Sequence, residues 1–394
     1  HTFFNLPLAV RFFLEALDTV PADQWRLASQ LGMRAGLSFR FVEWPVLRAS
    51  LPRVAGLVFM LCITSFTIVL TLGGGPRATT LEVAIYQALR FDFDPARAVA
   101  LTLLQILLTA VAVYFLAKAG GDFAAEANLS VASRRPNDAR RAETLSNAFI
   151  IGLALLFVAG PMLAVLIAGL DADLSRLVRE ESVLRATATS LILSILAATL
   201  SIFLSQSLVV TRRALQLRRR GEARSVLETV TDTGAGFVLV VPPIVIGAGW
   251  FILLRHFGDV FLVAPVMVVT VNAVMAMPFA IRAIRPAYDA ASERHELLCA
   301  QLGIAGYDRF RLIDWPVLRR PLATAFVFAM ALSLGDLGVI ALFGSETVQT
   351  LPYLLLARMG SYRTQDAAGL ALLLGLLCLI LMTIADRLGK KADG

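Results

Sequence analysis

Long stretches without a charged residue constrain this chain more than any other feature of its sequence. Seven stretches of 19 to 27 residues contain no Asp, Glu, Lys or Arg: 54–76, 98–117, 144–170, 186–211, 233–254, 260–281 and 367–385. A helix of about 20 residues crosses the ~30 Å hydrocarbon core of a bilayer, so each stretch is long enough to span it. An eighth stretch, 321–345, contains only one acid, Asp336. The sequence therefore predicts an all-α polytopic membrane protein with eight spans.

The composition excludes several other classes of protein. With 58% hydrophobic residues, 16% charged residues and a mean hydropathy of +0.74, the chain lies outside the range of water-soluble domains, including those that bind nucleic acid. The three cysteines and three histidines are scattered along the chain, so neither a metal site nor a bound cofactor is predicted. No catalytic cluster of His, Asp or Glu is apparent either, which argues against a membrane enzyme.

The distribution of basic residues predicts the topology. When the eight spans are threaded alternately through the membrane, 27 of the 36 Lys and Arg residues fall on one side, in loops 11–53, 118–141, 212–224, 282–320 and 387–391. Loops that carry an excess of positive charge remain in the cytoplasm. The Arg212-Arg213 and Arg218–Arg220 clusters are accordingly interpreted as topology signals and lipid-headgroup anchors.

Two of the cytoplasmic loops have similar sequences. Residues 7–51 align without a gap to 278–322 with 17 identities in 45 positions. The most similar parts are Gln30-Leu31-Gly32 against Gln301-Leu302-Gly303 and Trp44–Arg48 against Trp315–Arg319. Such a repeat indicates a tandem duplication of one membrane unit in parallel orientation.

The duplication predicts the domain organisation. Residues 1–117 form the C-terminal part of a first unit, with loop 15–52 and spans at about 54–76 and 98–117. A cytoplasmic linker, 118–143, leads to a complete six-span second unit, 144–394, with loop 285–321. The first unit lacks about 125 residues relative to the second, so we expect an N-terminally truncated chain whose complete form has twelve spans.

The repeated loop has the pattern of a compact helical elbow. A short helix around 24–31 is expected to stop at Gly32, and a second near 37–42 is expected to precede Trp44-Pro45; Pro21, Pro45 and Pro52 are interpreted as helix breakers. A simple connector has no need to preserve these positions in both copies. The repeated elbow therefore favours a docking surface for two equivalent partners.

These residues resemble the membrane permeases of binding-protein-dependent ABC importers. That family has a cytoplasmic Glu-Ala-Ala loop with a glycine four residues after the second alanine, followed by Ile-x-Leu-Pro. Here Gly32 is followed by Val42-Glu43-Trp44-Pro45, and Gly303 by Ile313-Asp314-Trp315-Pro316. The chain departs from the pattern at the leading glutamate, which is Arg26 in one copy and Leu297 in the other. Cys299 replaces the second alanine in the second copy.

The resemblance implies partners and a location. The family is a multi-pass component of the bacterial inner membrane, coupled to a dimer of ABC ATPase subunits and to a periplasmic binding protein. The chain contains no G-x-x-x-x-G-K-[ST] phosphate loop, so ATP hydrolysis is expected in a separate subunit. The residues expected to couple to that subunit are matched between the two loops: Gln30, Gly32, Glu43, Trp44 and Pro45, and Gln301, Gly303, Asp314, Trp315 and Pro316.

Further motifs resemble the thiamine-importer branch of the family. They are FVEWPVLR at 41–48, LTLGGGPRATTLEVAIYQAL at 70–89, FDPARA at 93–98, SLGDLGVIALFG at 333–344 and TLPYLLLARMGSYRTQDAA at 350–368. The resemblance implies import of thiamine or its phosphates, delivered by a thiamine-binding protein. Ferric-iron and polyamine importers remain alternatives, as does a proton-coupled carrier that would use the intramembrane acid Asp336.

Polar residues in the spans are candidates for the translocation path. Asp336, its first-unit equivalent Ser65, and Asn272 are expected to face the bundle interior, with Gly335 and Gly338 allowing close helix approach. On the outer face, 77–97 and 346–366, the latter with Tyr353, Arg358, Tyr362 and Arg363, are either docking loops for the binding protein or solvated loops on the headgroups.

Overall fold

The computed structural model describes residues 1–73, 79–118, 141–218, 241–254, 256, 262–304, 306–345 and 348–390. Within these ranges every regular element is a helix, as predicted. The helices are α1 Thr2–Asp18, α2 Ala22–Gln30, α3 Ala35–Ser38, α4 Trp44–Ile63, α5 Leu81–Arg90, α6 Pro95–Lys118, α7 Arg141–Leu170, α8 Leu174–Arg179, α9 Glu181–Arg218, α10 Pro243–Leu254, α11 Ala264–Leu302, α12 Gly306–Arg309, α13 Trp315–Leu334, α14 Gly338–Phe343, α15 Leu351–Gly360 and α16 Thr364–Lys390.

Seven segments of the described chain are long and apolar enough to cross a membrane: Gly36–Ile63, Pro95–Phe115, Leu145–Leu170, Glu181–Leu217, Ala264–Leu302, Gly306–Leu334 and Thr364–Ala385. They correspond to seven of the eight predicted spans. Of the remaining one, 233–254, only α10 and the two residues before it are described, and the rest lies outside the described residues. The central part of the predicted linker 118–143 also lies outside them.

Two predicted spans have different bounds in the structure. The spans predicted at 54–76 and 321–345 both contain a break, because α4 ends at Ile63 and α13 ends at Leu334. The crossing segments therefore begin earlier, inside the elbows, at Gly36 and Gly306. The apolar residues that follow the second break form α14, in which all six residues are buried. Irregular backbone near membrane depth is tolerated only when protein covers it, as it does here.

By their packing, the helices form two compact bodies, called unit 1 and unit 2 from here on, whose bounds differ from those of the two repeats. Unit 1 comprises residues 1–68 and 105–164, and unit 2 comprises 69–104 and 165–394. This division differs from the predicted boundary at 118–143. Helix α5 belongs to unit 2 because it packs on α10 and α14, and the first part of α7 belongs to unit 1, where Phe157 packs against Phe3 with ring centroids 6.2 Å apart.

Small residues hold the helices of unit 2 together. Helix α9 buries a stripe of serines and alanines: Ser190, Ser194, Ala197, Ala198, Ser201 and Ser205. This stripe allows α9 to approach α11 and α13 closely, and Ser205 Oγ lies 3.4 Å from the Met277 carbonyl oxygen of α11. In unit 1, α1 packs on α4, where Asn5 Nδ2 lies 3.5 Å from Cys62 Sγ.

Candidate coupling and translocation sites

Both elbows turn at a glycine with a left-handed backbone. Gly32 has φ +62° and Gly303 has φ +65°. Residues beyond each glycine bond back to the preceding helix: Met33 N–H donates to the Ala28 carbonyl at 3.0 Å, and Ile304 N–H donates to the Cys299 carbonyl at 2.9 Å. A Cβ at either glycine would meet nothing within 4 Å. Backbone conformation and not space therefore requires glycine at these positions.

Each elbow continues into its span through the same distorted turn. Phe39–Glu43 and Phe310–Asp314 are π-helical, and Trp44 and Trp315 N–H donate to the carbonyls five residues earlier. The following prolines, Pro45 and Pro316, lack the N–H that a regular turn needs and would clash with the carbonyl four residues back. The wider π turn accommodates them.

The interpretation of Pro45 and Pro52 as breakers is wrong. Pro45 lies in the first turn of α4, where proline is well tolerated, and Pro52 lies inside that helix. Only Pro21 separates two helices, at the junction of α1 and α2, because the residue before a proline is pushed out of the helical conformation. The equivalent position in the second copy is Ser292, and α11 continues through it without a break.

Matched apolar side chains are exposed on the two elbows. Leu31 and Leu302 are each 63% exposed. The rings of Phe39 and Trp44 are tilted against each other with centroids 6.0 Å apart, as are those of Phe310 and Trp315, and all four side chains are exposed. The remaining predicted coupling residues, apart from Asp314, are at least partly exposed, and Gln30 and Gln301 each lie in the last turn of a helix. Each elbow thus presents a similar surface of apolar and polar groups.

The second elbow is also held by a polar cluster that the first one lacks. Ser292 Oγ lies 3.3 Å from Arg213 Nε, 3.2 Å from Arg309 Nη2 and 3.1 Å from Glu296 Oε2. Arg212 pairs with Asp289 at 3.1 Å. Proline replaces the Ser292 hydroxyl in the first copy, so the same cluster cannot form there.

This cluster corrects the interpretation of Arg212 and Arg213. Arg212 and Arg213 are only 10% and 16% exposed and pair within the protein, so they are not lipid-headgroup anchors. The second cluster, Arg218–Arg220, falls at and beyond the limit of the described residues. Asp314 is buried, with Oδ1 3.9 Å from Arg309 Nε, whereas its counterpart Glu43 is half-buried.

Two of the three path candidates lie together in unit 2. Asn272 Nδ2 donates to Ser333 Oγ at 3.0 Å, and the Asn272 side chain lies near the Asp336 carboxylate. Asn272 is buried in α11 and Asp336 is half-buried. Ser65, the third candidate, is buried in unit 1, in the break after α4.

Asp336 lies at a break and not within a continuous helix over the predicted span 321–345. Asp336 follows the end of α13 and caps α14, accepting from the N–H groups of Gly338 at 3.2 Å and Val339 at 3.3 Å. Aspartate competes well for such free N–H groups, which is why the span breaks here. Gly335 is not needed for close helix approach, because a Cβ there would make only ordinary contacts at 3.7 Å or more.

Two substitutions of Asp336 separate its role as the cap of α14 from the role of its negative charge in transport. Asp336→Ala is expected to lower the free energy of unfolding by about 1 kcal/mol, because α14 loses its cap. Asp336→Asn keeps an acceptor and should retain stability in thermal unfolding, yet reduce transport if the negative charge lines the path. Glu181→Gln, which removes an exposed acid, is the control. Wild-type transport by Asp336→Asn would show that the charge is not used.

An ion-pair cluster closes the outer side of unit 2. Arg358 pairs with Glu180 and lies 3.4 Å from Asp366, which also pairs with Arg176 and Arg363. A hydrogen bond from Ser182 at 2.7 Å, and then the Arg358 guanidinium, hold the pKa of Glu180 below its usual range. Arg358 is 8% exposed. It is therefore unsuited to the expected contact with a binding protein, whereas Tyr362, 92% exposed, remains suited to one.

Breaking this cluster should destabilise the outer end of the protein. Arg358→Met leaves Glu180 and Asp366 without their shared cation, and we expect a loss of about 3 kcal/mol in unfolding in detergent. Because folding lowers the pKa of Glu180, the stabilisation is present above the unfolded value and is lost as the pH falls through the folded value. Arg185→Met is the matched control, since its pair with Glu181 is more than three-quarters exposed. Equal losses in the two variants would contradict the argument.

Comparison with known proteins extends over nearly the whole chain. The thiamine transport system permease protein of Brucella abortus is 60% identical over 387 residues, which cover 98% of this chain and 70% of that protein. The protein of the same name from Escherichia coli is 42% identical over 98% of this chain and 72% of its own length. A family model for the inner membrane component of binding-protein-dependent transport systems matches residues 214–393. The chain belongs to this permease family. The permease is thus a multi-pass inner-membrane transport protein. It is also 38% identical to the thiamine transport system permease protein of Haemophilus influenzae, over 99% of the present chain and 73% of that relative.

Sequence reasoning missed one buried acid of the permease. Glu82 is completely buried in α5. Its spacing with Tyr86 and Arg90, four and eight residues on, would have placed the three on one helix face. Its burial could not be read from the sequence, because 77–97 was expected to be a surface loop.

Proposed function

We propose that this permease forms the membrane channel of an ATP-driven importer of thiamine or its phosphate esters. The observation that carries the proposal is the 60% identity, over 98% of the chain, to a protein named a thiamine transport system permease. The resemblance of segments 70–98 and 333–368 to thiamine permeases supports the same substrate.

ATP hydrolysis is proposed to occur in a separate dimer of ABC ATPase subunits. The two elbows are the argument for a dimer: each has a left-handed glycine, a π turn before a Trp-Pro pair and an exposed leucine at the same position. Two similar surfaces fit two copies of one subunit. An exposed apolar surface on a cytoplasmic loop also favours a protein partner over solvent.

The two elbows suggest how hydrolysis drives transport. Closure of the ATPase dimer would draw the elbows together, and each elbow is continuous with a spanning helix through its π turn. The helix bundles would then rock between inward-open and outward-open states around a central site. A periplasmic binding protein would deliver the substrate to the outer face.

The proposed path suits a cation. Thiamine carries a positive charge on a flat heterocycle, and buried arginines would repel it. In unit 2 the polar groups at the Asn272–Asp336 site are an amide, a hydroxyl and a carboxylate. A polyamine or chelated ferric iron would meet the same chemistry, so these remain rival substrates. A proton-coupled carrier is less favoured, because it has no use for paired elbows.

Uptake by a thiamine auxotroph tests the proposal. Cells that lack their own importer should grow on nanomolar thiamine when they express the permease with its ATPase and binding protein, and should accumulate labelled thiamine. Growth rescue should disappear when the ATPase subunit carries a substitution in its phosphate loop. Rescue that persists without a functional ATPase would favour a proton-coupled carrier. Uptake of a polyamine or iron in place of thiamine would show that the transporter class is right and the proposed substrate is wrong.

A further inference from the structure

Glu82 is a carboxylic acid in an apolar part of unit 2. It lies on α5 and is 0% exposed, and neither of its carboxyl oxygens has a hydrogen-bond partner among the described residues. Helix α5 packs on α10 and α14. Neither of these helices carries a titratable side chain, and their buried residues are apolar or glycine.

A purely structural role explains this acid poorly. A buried polar group without a partner loses its hydration and gains nothing in return, so an apolar side chain would serve the packing better. Burial raises the pKa of Glu82 to about 8, so this conformation holds the acid largely in its neutral form near pH 7. A buried acid without a hydrogen-bond partner among the described residues points to a role in another conformation.

The neighbours of Glu82 suit an aromatic cation. Tyr86 lies one turn further along the same face of α5 and is buried, where it interacts electrostatically with Arg90 and, to a smaller extent, with Tyr353. Arg90, another turn on, donates to the Gly344 carbonyl at 3.0 Å. The Tyr353 ring covers Gly344 so closely that a Cβ there would lie 2.9 Å from its Cε2. The face of α5 that carries the acid therefore meets the junction of α14 and α15 beside two tyrosines.

We propose that Glu82, Tyr86 and Tyr353 form a recognition site for a positively charged heteroaromatic ring, which the outer end of unit 2 exposes when it opens. The site rests on the proposed function, since thiamine is such a cation. Separation of α5 from α14 and α15 would admit water, and the hydrated acid would ionise and attract the cation. The two tyrosine rings would then hold it by cation–π contact. When α5 packs again on α14 and α15, Glu82 takes up a proton from water and releases the bound cation toward the cytoplasm.

The acid of the site occurs in only one half of the duplication. The α5 and α15 segments align through Thr80-Leu81 against Thr350-Leu351, which places Pro352 opposite Glu82. A single acid fits a monovalent organic cation. Because the second repeat has proline at the equivalent position, no second acid can compensate when Glu82 is substituted.

Transport by the assembled importer tests the site. In proteoliposomes with the ATPase and the thiamine-loaded binding protein, Glu82→Gln should lower thiamine uptake at least tenfold and leave stimulated ATP hydrolysis within twofold. Glu82→Asp should restore part of the uptake, and Glu181→Gln should match the wild type. Uptake by Glu82→Gln within twofold of the wild type overturns the site alone. Absence of thiamine uptake by the wild type overturns the site and the proposed function together.

A measurement on the unaltered protein covers the case in which the variants fail to assemble. A hydrophobic carbodiimide reacts with protonated buried acids, so it should label the peptide that contains Glu82 in the resting complex, and labelling should fall as the pH rises through about 8. In the outward-open complex trapped with vanadate and labelled at about pH 5, where a hydrated glutamate is still partly protonated, thiamine should reduce labelling at least fivefold and choline should not. Labelling that is unaffected by thiamine overturns the site.

Discussion

Replacing Gly32 and Gly303 together by valine is expected to reduce ATP-driven thiamine uptake at least tenfold. Both glycines have φ above +60°, a conformation that costs a β-branched residue about 1–2 kcal/mol or more. Because a Cβ has open space at both positions, relief of the strain requires the backbone to turn differently. The bonds from Met33 and Ile304 to the preceding helix would break, and each elbow would be displaced from its partner.

Matched variants isolate the backbone effect. Asparagine tolerates the left-handed conformation, so the double Asn variant should retain most of the uptake. Gly152→Val adds the same side chain in open space on α7 and should have no effect on uptake. The amount of folded permease in the membrane, which measures insertion, should be unchanged in the double valine, the double asparagine and the Gly152→Val variants. Normal coupling of ATP hydrolysis to uptake in the double valine variant would contradict the assignment of the elbows.

Replacing Leu31 and Leu302 together by aspartate should abolish association with the ATPase. Both side chains are 63% exposed, so the permease itself loses little packing. If the leucines are covered in the complex, the substitution buries two unpaired charges at the interface, and the amount of ATPase that copurifies should fall more than tenfold. Leu262→Asp alters a leucine that is 82% exposed on the outer side and should leave association intact. Retention of the ATPase by the double variant would show that the leucines lie outside the interface.

The membrane architecture could be predicted because it follows from length and charge alone. A run of 20 residues without charge has few alternatives to a spanning helix, and the repeat located both elbows with their glycines at the correct positions. The bounds of two spans were wrong for a physical reason. Hydropathy cannot distinguish a continuous spanning helix from an apolar segment that breaks at Ser65 or Asp336, and it cannot show that the residues after Asp336 are buried by the protein.

Pairwise chemistry was the part that sequence could not provide. Arg212 and Arg213 have the composition of headgroup anchors, yet their partners are on α11, about 80 positions away in the chain. Arg358 likewise belongs to a cluster assembled from three separate helices and the turns that precede them. The burial of Glu82 depends on the packing of α5 against α10 and α14, which no local pattern records.

Thiamine uptake by purified components tests the central proposal most directly. Proteoliposomes that contain the permease and its ATPase, with the binding protein outside and ATP inside, should accumulate labelled thiamine above the external concentration. Uptake should require ATP and the binding protein, and excess spermidine or ferric citrate should not compete. Accumulation that follows a proton gradient without ATP, or that selects spermidine or iron over thiamine, would contradict the account.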